Sequence, residues 1–232
     1  MKILALIPAR GGSKRIPRKN IRRLGKKPLI IWSIDVAKGV PEICDILVST
    51  DDVEIAEISK AAGANVPWLR PLHLATDVAT TIDVCMHALE WYEKEHGHVD
   101  GLLLLQPTSP LRTKKIIKEG IKLFASAESS AIIGFSLASA HPNWCFKFEE
   151  NKIIPYIDSS GFRLRSQDLQ NAYIVDGSFY LASPSYLKKN QSFYGQNIIP
   201  LINSEPLITI DIDDEWDWFL AEKYLEYSKD RP

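Results

Sequence analysis

Ile3-Leu-Ala-Leu-Ile-Pro-Ala-Arg-Gly-Gly12 is the stretch that decides the fold. Ile3 to Ile7 are apolar without alternation, and Pro8 and the Gly11-Gly12 pair close the run. A strand buried on both faces has this pattern, as in a parallel sheet covered by helices on each side. In such sheets ligands bind beyond the carboxyl ends of the strands. The segment that follows, Pro8–Lys27, is therefore the first place to look for a site.

Downstream, strand and helix signals alternate. Pro28 suits a helix start, with Leu29–Lys38 as its body and Gly39 as its stop. Asp45–Thr50 predicts a second strand, and Val53–Ala62 a helix closed by Gly63. Asn65–Leu69 predicts a short third strand. Thr81–Glu95 carries Ile82, Met86, Leu89 and Tyr92 at helical spacing. Gly101–Leu105 predicts a fourth strand, Lys114–Phe124 a helix and Ala131–Ser136 another strand. The expectation is an α/β fold with a doubly wound, mostly parallel sheet. The pattern breaks near His141. Trp144–Phe148 and Ile153–Ile157 read as a hairpin, 158–171 as polar and irregular, and Ala172–Leu181 as a strand pair or a strand bent at Gly177. This region reads as an inserted lobe at about 141–181. Leu207–Ile212 returns to the core, and a last helix runs from Asp214 to about Tyr227.

Composition narrows the function. Residues 1–34 hold ten Lys and Arg and no acid, whereas the rest holds 18 basic against 29 acidic residues. A long nucleic acid would be repelled by that remainder, but a compact polyanion such as a nucleoside triphosphate would not. The basic segment also lacks the interleaved aromatics of single-strand binders. No apolar run reaches membrane-span length, and the apolar N-terminus is too short for a secretory leader, so a cytoplasmic location is expected. Cys44, Cys85 and Cys145 are far apart and odd in number, and they read as buried free thiols in a reducing compartment.

Four segments can carry chemistry. In Pro8–Asn20, the glycine pair permits close approach of backbone to phosphate, and Arg10, Arg15, Arg18 and Lys19 supply charge. The segment has neither the P-loop ending nor Gly-x-Gly-x-x-Gly. Arg22–Lys27 reads as a solvated lead-in to the first helix. In Thr209-Ile-Asp-Ile-Asp213, strand alternation would put Asp211 and Asp213 on one face. Adjacent carboxylates repel unless a cation joins them, and Mg2+ (with Mn2+ as the alternative) is commonly held by one or two carboxylates plus substrate phosphates. Asp214 reads as a helix cap. In Leu105–Arg112, Gln106 suits a polyhydroxylated ligand, while Thr108 and Ser109 are equally suited to capping the next helix. Arg163 and Arg165 suit a substrate carboxylate, a plain surface or an intersubunit pair equally well.

Six stretches also resemble the acylneuraminate cytidylyltransferases (CMP-sialic acid synthetases) in order: IPARGGSKRIPRKN, VSTDD, RPLHLATD, LLQPTSPLR, RSQDLQNAYIVDGSFY and TIDIDDEWD. The resemblance implies one domain over 1–232, with a nucleotide-diphospho-sugar transferase-like, Rossmann-like core and a protruding dimerisation lobe. It implies a homodimer that joins CTP to a nine-carbon 2-keto sugar acid, releasing pyrophosphate. By motif position, Ala9, Arg10, Gly11, Gly12, Ser13, Lys19 and Asn20 resemble the nucleotide-phosphate group. Arg70, Asp77 and Thr80 complete the nucleotide set, with Arg70 and Thr80 near base and ribose. Gln106, Arg163, Arg165, Gln167 and Tyr173 are similar to sugar contacts, and Asp211 and Asp213 to metal carboxylates. Arg10, Lys19, Asp211 and Asp213 are the implied catalytic group. Asp176-Gly177 stands where the family often has Asn-Gly, and Gln170-Asn171 where many members carry a proline. Both departures are expected in the lobe facing the sugar, and they bear on its identity. Legionaminic, pseudaminic and, more distantly, KDO cytidylyltransferases share most of these motifs.

Overall fold

β1, Ile3–Pro8, is an interior strand of a six-stranded sheet, with Ile3, Leu4, Ala5, Leu6 and Ile7 fully buried. The computed structural model describes residues 1–127, 130–157, 165–205 and 209–229. After β1 come the short pair β2 (Arg23–Leu24) and β3 (Lys27–Pro28), α1 (Leu29–Ala37), β4 (Ile43–Ser49), α2 (Val53–Ala61), α3 (Thr81–His96), β5 (Gly101–Leu104), α4 (Lys114–Ala125) and β6 (Ala131–Leu137). β7 (Phe146–Glu149) and β8 (Lys152–Pro155) form a hairpin outside the main sheet. β9 (Tyr173–Ala182), α5 (Pro184–Asn190), β10 (Ile198–Asn203) and α6 (Glu215–Lys229) complete the order.

The sheet runs β10-β6-β9-β5-β1-β4. β9 is antiparallel to both neighbours, and the other pairings are parallel. Alternate side chains of each strand serve opposite layers. Ile3, Ala5 and Ile7 meet α1, α2 and α4, whereas Leu4 and Leu6 meet α3 and α5. The doubly wound architecture is therefore as expected. A third apolar cluster joins Ile16 and Leu24 of the basic segment to Ile212 and to Trp218, Ala221 and Leu225 of α6. That cluster folds the last helix under the first loop.

Several expectations need correction. The three thiols are free, but Cys85 alone is buried, whereas Cys44 and Cys145 are exposed. Asn65–Leu69 is not a strand. Asn65 makes one bridge to Leu47, and Pro67, without an N–H, cannot continue a ladder. Ala172–Leu181, expected inside the lobe, supplies the strand between β5 and β6. Among the described residues of that region, the hairpin is the strand pair that stands apart from the sheet. The register of β9 against β6 shifts between Ile133 and Phe135, opposite the turn of Gly177 at φ 72°. The Asp211 segment is not a strand either. Ile210–Asp213 is irregular, and Ile212 hangs from the Thr108 carbonyl through its N–H at 2.7 Å. Burial still alternates there, with Ile212 buried and Asp211 and Asp213 turned outward. Asp214 caps α6, accepting from Trp216 and Asp217 N–H groups at 2.9 and 3.0 Å.

Candidate active site

The loops after β1, β4 and β5 leave neighbouring strands at one sheet edge, and between them lies an open cleft of about 540 Å³. Arg10, Ser13, Lys14, Arg15, Lys19, Asn20, Arg70, Asp77, Thr80, Gln106, Thr108 and Asp213 line it. Five of these are basic and two acidic, so the cleft favours a polyanion.

The basic segment divides within itself. Ala9 is core, and its N–H donates to the Ser49 carbonyl at 2.9 Å. Gly11 donates to Asp51 Oδ1 at 2.9 Å, and a Cβ there would lie 2.7 Å from Asp52 Oδ2. Packing against the next loop, rather than approach to a phosphate, requires that glycine. Gly12 has nothing within 4 Å of the place a Cβ would take. Asn20 is buried and donates to the Arg10 carbonyl at 2.9 Å, which holds the loop closed. Arg18 does not serve the cleft. Its backbone is left-handed at φ 57°, and its guanidinium pairs with Asp52 and Glu54. Arg22 lies 4.3 Å over the Trp218 ring and pairs with Glu215 at 2.5 Å, so the expected solvated lead-in instead anchors α6.

The cations that do face the cleft hold carboxylates. Arg10 pairs with Asp77 at 2.8 Å and Lys14 pairs with it at 2.5 Å. Their hydrogen bonds hold the Asp77 carboxyl below its ordinary range. Arg15 reaches Asp213 at 3.1 Å. Lys19 donates to the Ile212 carbonyl at 2.8 Å and stands 3.8 Å from Asp213. Burial lowers the Lys19 pKa, against the pull of Asp213 and Asp211. Asp211 sits in a recess beside Thr108, with part of its surface still open. Crowding by the surrounding protein raises its pKa, the Thr108 hydrogen bond opposes this, and Asp213 adds repulsion. Asp211 and Asp213, which flank the Ile212 that lies 193 residues after Lys19, are thus brought near that lysine by α6 and its apolar cluster.

Arg70 is buried in the cleft floor. It donates Nε to Ser49 Oγ at 2.9 Å and also binds the Ser49 carbonyl, and burial pushes its pKa down to about 10. Thr80 lines the cleft while capping α3, its hydroxyl donating to Asp83 at 2.6 Å. The Gln106 side chain faces the cleft. Neither Thr108 nor Ser109 caps α4, because Thr113 accepts from the Ile116 N–H there.

Apart from Gln106, the expected sugar contacts that lie among the described residues are not gathered with this group. Arg163 falls outside the described residues. Arg165 is exposed and pairs with Asp168 at 2.9 Å, and Gln167 and Tyr173 are exposed as well. None of the three lines the cleft. Asp176, expected to face the sugar, is buried. It accepts from Ser178 N–H and Oγ at 2.9 and 2.6 Å and from Asn203 at 2.5 Å. Lys14 and Arg112 are the site residues the sequence reading passed over. Lys14 sits in a charge run in which every member has the same signal. Arg112 closes a polar motif with no sign that it would be buried.

Three comparisons set this geometry among known proteins. Residues 4–136 match the family model described as Cytidylyltransferase. The chain is 36% identical to CMP-N,N'-diacetyllegionaminic acid synthase of Legionella pneumophila over 99% of both chains. It is 35% identical to pseudaminic acid cytidylyltransferase of Campylobacter jejuni over 83% of this chain and 84% of that one. Among solved structures, a CMP:2-keto-3-deoxy-manno-octonic acid synthetase complexed with CTP superposes with a TM-score of 0.71 at 17% identity. The match covers 98% of this chain and 100% of that one, a likeness of fold. The fold and cleft therefore define a nucleotidyltransferase of the cytidylyltransferase type. The chain belongs to the cytidylyltransferase family that includes the acylneuraminate, legionaminate and pseudaminate enzymes.

Proposed function

We propose that the chain transfers the cytidylyl group of CTP to a nine-carbon 2-keto sugar acid of the N-acylneuraminate or legionaminate type. The observation that carries this reading is the meeting of the basic loop with Asp213 at the cleft, with Asp211 of the same segment set beside Thr108, in a chain of this family. The 36% identity to the legionaminic acid enzyme favours that sugar class, with pseudaminic acid next and KDO third.

The sugar's anomeric hydroxyl oxygen would attack the α-phosphorus, forming the new O–P bond as the α–β bridging bond breaks and pyrophosphate leaves. Such transfers need positioning and charge neutralisation more than covalent chemistry. Arg10, Ser13, Lys19 and Asn20 are assigned to the triphosphate, and Arg70 and Thr80 to the base and ribose. Arg10 and Lys19 would offset the charge that grows on the leaving group. Gln106 is assigned to the sugar. Arg163, Arg165, Gln167 and Tyr173 are assigned to it from the lobe side. The hydroxyl proton would pass to the aspartate pair or to water.

Among the described residues no cluster of three or more His, Cys, Asp or Glu suits a metal. Two hard carboxylates plus substrate phosphates nevertheless match the way Mg2+ is usually held, and the repulsion between Asp211 and Asp213 is what a cation would relieve. Mg2+, or Mn2+, on Asp211 and Asp213 would offset phosphate charge and acidify the attacking hydroxyl when bound. A second copy of the chain is the expected partner. Phe146, Phe148 and Ile153 of the exposed hairpin support an interface there. Because CTP is a cytoplasmic nucleotide, the enzyme is assigned to that compartment. Among the described residues no helix is long and apolar enough to cross a membrane.

The test is pyrophosphate release with CTP, UTP, ATP and GTP against sialic, legionaminic, pseudaminic and KDO-type acids. Release with CTP and a nine-carbon acid is the expected result. Release only with a sugar 1-phosphate and another triphosphate would overturn the reading.

A further inference from the structure

Beneath the cleft lies a charged side chain that no part of the proposed chemistry uses. Arg112 is 4% exposed, yet among the described residues it has no carboxylate within ion-pair distance. Its Nη2 donates to the Gln106 carbonyl at 2.6 Å, and its Nη1 to Ser33 Oγ of α1 at 3.3 Å. Nε has no partner, and neither does Oγ of the fully buried Ser109. A buried guanidinium is costly to keep, and burial pushes this one down to about 10. Asp211 and Asp176 stand near enough to favour its charge without contacting it.

The hydrogen bonds around Arg112 form a continuous path to the cleft. The Gln106 carbonyl accepts from Arg112, from the Ser109 N–H at 3.3 Å and from Ser33 Oγ at 3.4 Å, so the turn from Gln106 to Arg112 is wound about one oxygen. That turn aims the Gln106 side chain into the cleft and presents Thr108. The Thr108 carbonyl accepts from the Ile212 N–H at 2.7 Å, and its hydroxyl meets Asp211. The Ile212 carbonyl in turn accepts from Lys19 at 2.8 Å. Behind the turn, Gly177 leaves no room to spare, since a Cβ there would lie 3.0 Å from Ser109 Oγ and 3.7 Å from Asp211 Cγ. A site built this way depends on the layer that supports its contact groups.

We propose that Arg112 is a positioning residue for cytidylyl transfer. From below the cleft, and without touching substrate, it holds the Gln106–Thr108 turn in register with the Asp211 segment. The proposal rests on the cytidylyltransferase reading. It separates the two substrates, because Gln106 of the turn is assigned to the sugar acid, whereas Arg10, Ser13, Asn20, Arg70 and Thr80, assigned to CTP, line the cleft from other loops.

The experiment compares wild type, Arg112→Lys and Arg112→Met. CTP affinity is measured by calorimetry, folding by thermal melts, and kcat and the sugar-acid KM by pyrophosphate release. The expected result for Arg112→Met is CTP affinity within about threefold of wild type, a raised sugar-acid KM, and kcat lower by roughly tenfold to 100-fold, the scale of a small misplacement. Arg112→Lys, which keeps a donor for the Gln106 carbonyl, should recover part of both losses. If Arg112→Met does not fold, Arg112→Lys alone decides, through the same split between CTP affinity and sugar KM. A merely structural role would lower the active fraction with the sugar KM unchanged, and that outcome overturns the proposal, as does unimpaired turnover in both variants. A wild type that releases no pyrophosphate from CTP with any sugar acid overturns the cytidylyltransferase reading, and the positioning role falls with it.

Discussion

Asp77 accepts from Arg10 and Lys14 at once, so one carboxylate occupies a cation assigned to phosphate and the lysine that lines the cleft with it. All three side chains are substantially exposed, and exposed pairs of this kind are weak and screened by salt. A triphosphate carries far more charge than one carboxylate and would displace it. Asp77→Asn should therefore tighten CTP binding by roughly threefold to tenfold at low ionic strength, read by calorimetry, with the gain fading as salt rises. Weaker binding in this variant would mean that Asp77 itself contacts the nucleotide. This single residue also shows how far sequence reading goes. The Arg70–Asp77 motif marks a nucleotide-facing loop, but which cation a carboxylate answers depends on how two loops from different strands meet. Lys14 and Arg18 carry the same charge four residues apart, yet one faces the cleft and the other faces α2.

At the scale of elements, the basic segment is held from both sides, by α6 below and by the start of α2 beside it. Asp52 caps α2, accepting from the Ile55 N–H at 3.0 Å, and also pairs with Arg18. Burial pushes the Asp52 carboxyl up, but the Ile55 N–H and Arg18 outweigh it and the net pKa is lowered from 3.8. A carboxyl that is more acidic in the folded chain stabilises the fold above its unfolded pKa, and that contribution disappears as pH falls through the folded value. Asp52→Ala should cost about 1 kcal/mol near neutral pH, the usual scale of a lost cap, and the gap from wild type should close below about pH 3.8. Urea unfolding at pH 7 and pH 3 checks this, and an equal gap at both would contradict it. The elements legible in the sequence were those with an unbroken apolar run, such as β1 and β5, or helical spacing, such as α3, between clean stops. β10 was not legible because Pro200 interrupts it, and only an edge strand, bonded here to β6 alone, tolerates that. The central place of β9 was hidden for another reason. A strand that enters antiparallel after a hairpin excursion looks, in sequence, like part of the excursion.

Across the whole molecule, charge and apolar surface are segregated. Arg10, Lys14, Arg15 and Lys19 of the basic first 34 residues line the cleft, while Phe146, Phe148, Ile153 and Tyr156 expose apolar surface on and beside the separate hairpin. Light scattering should give twice the 26.2 kDa of one chain, and Phe148→Glu should shift the population toward the single chain. A single chain at assay concentration in the wild type would contradict the assigned interface. The central claim is that nucleotidyl transfer takes place where Lys19 meets Asp211 and Asp213, residues that only the closure of α6 beneath the first loop brings together. The direct measurement is CTP-dependent pyrophosphate release by wild type and Asp211→Ala, each at saturating CTP, sugar acid and Mg2+. A loss of about 100-fold or more, with the fold intact by circular dichroism, is the predicted result. Near-normal turnover in Asp211→Ala would contradict it.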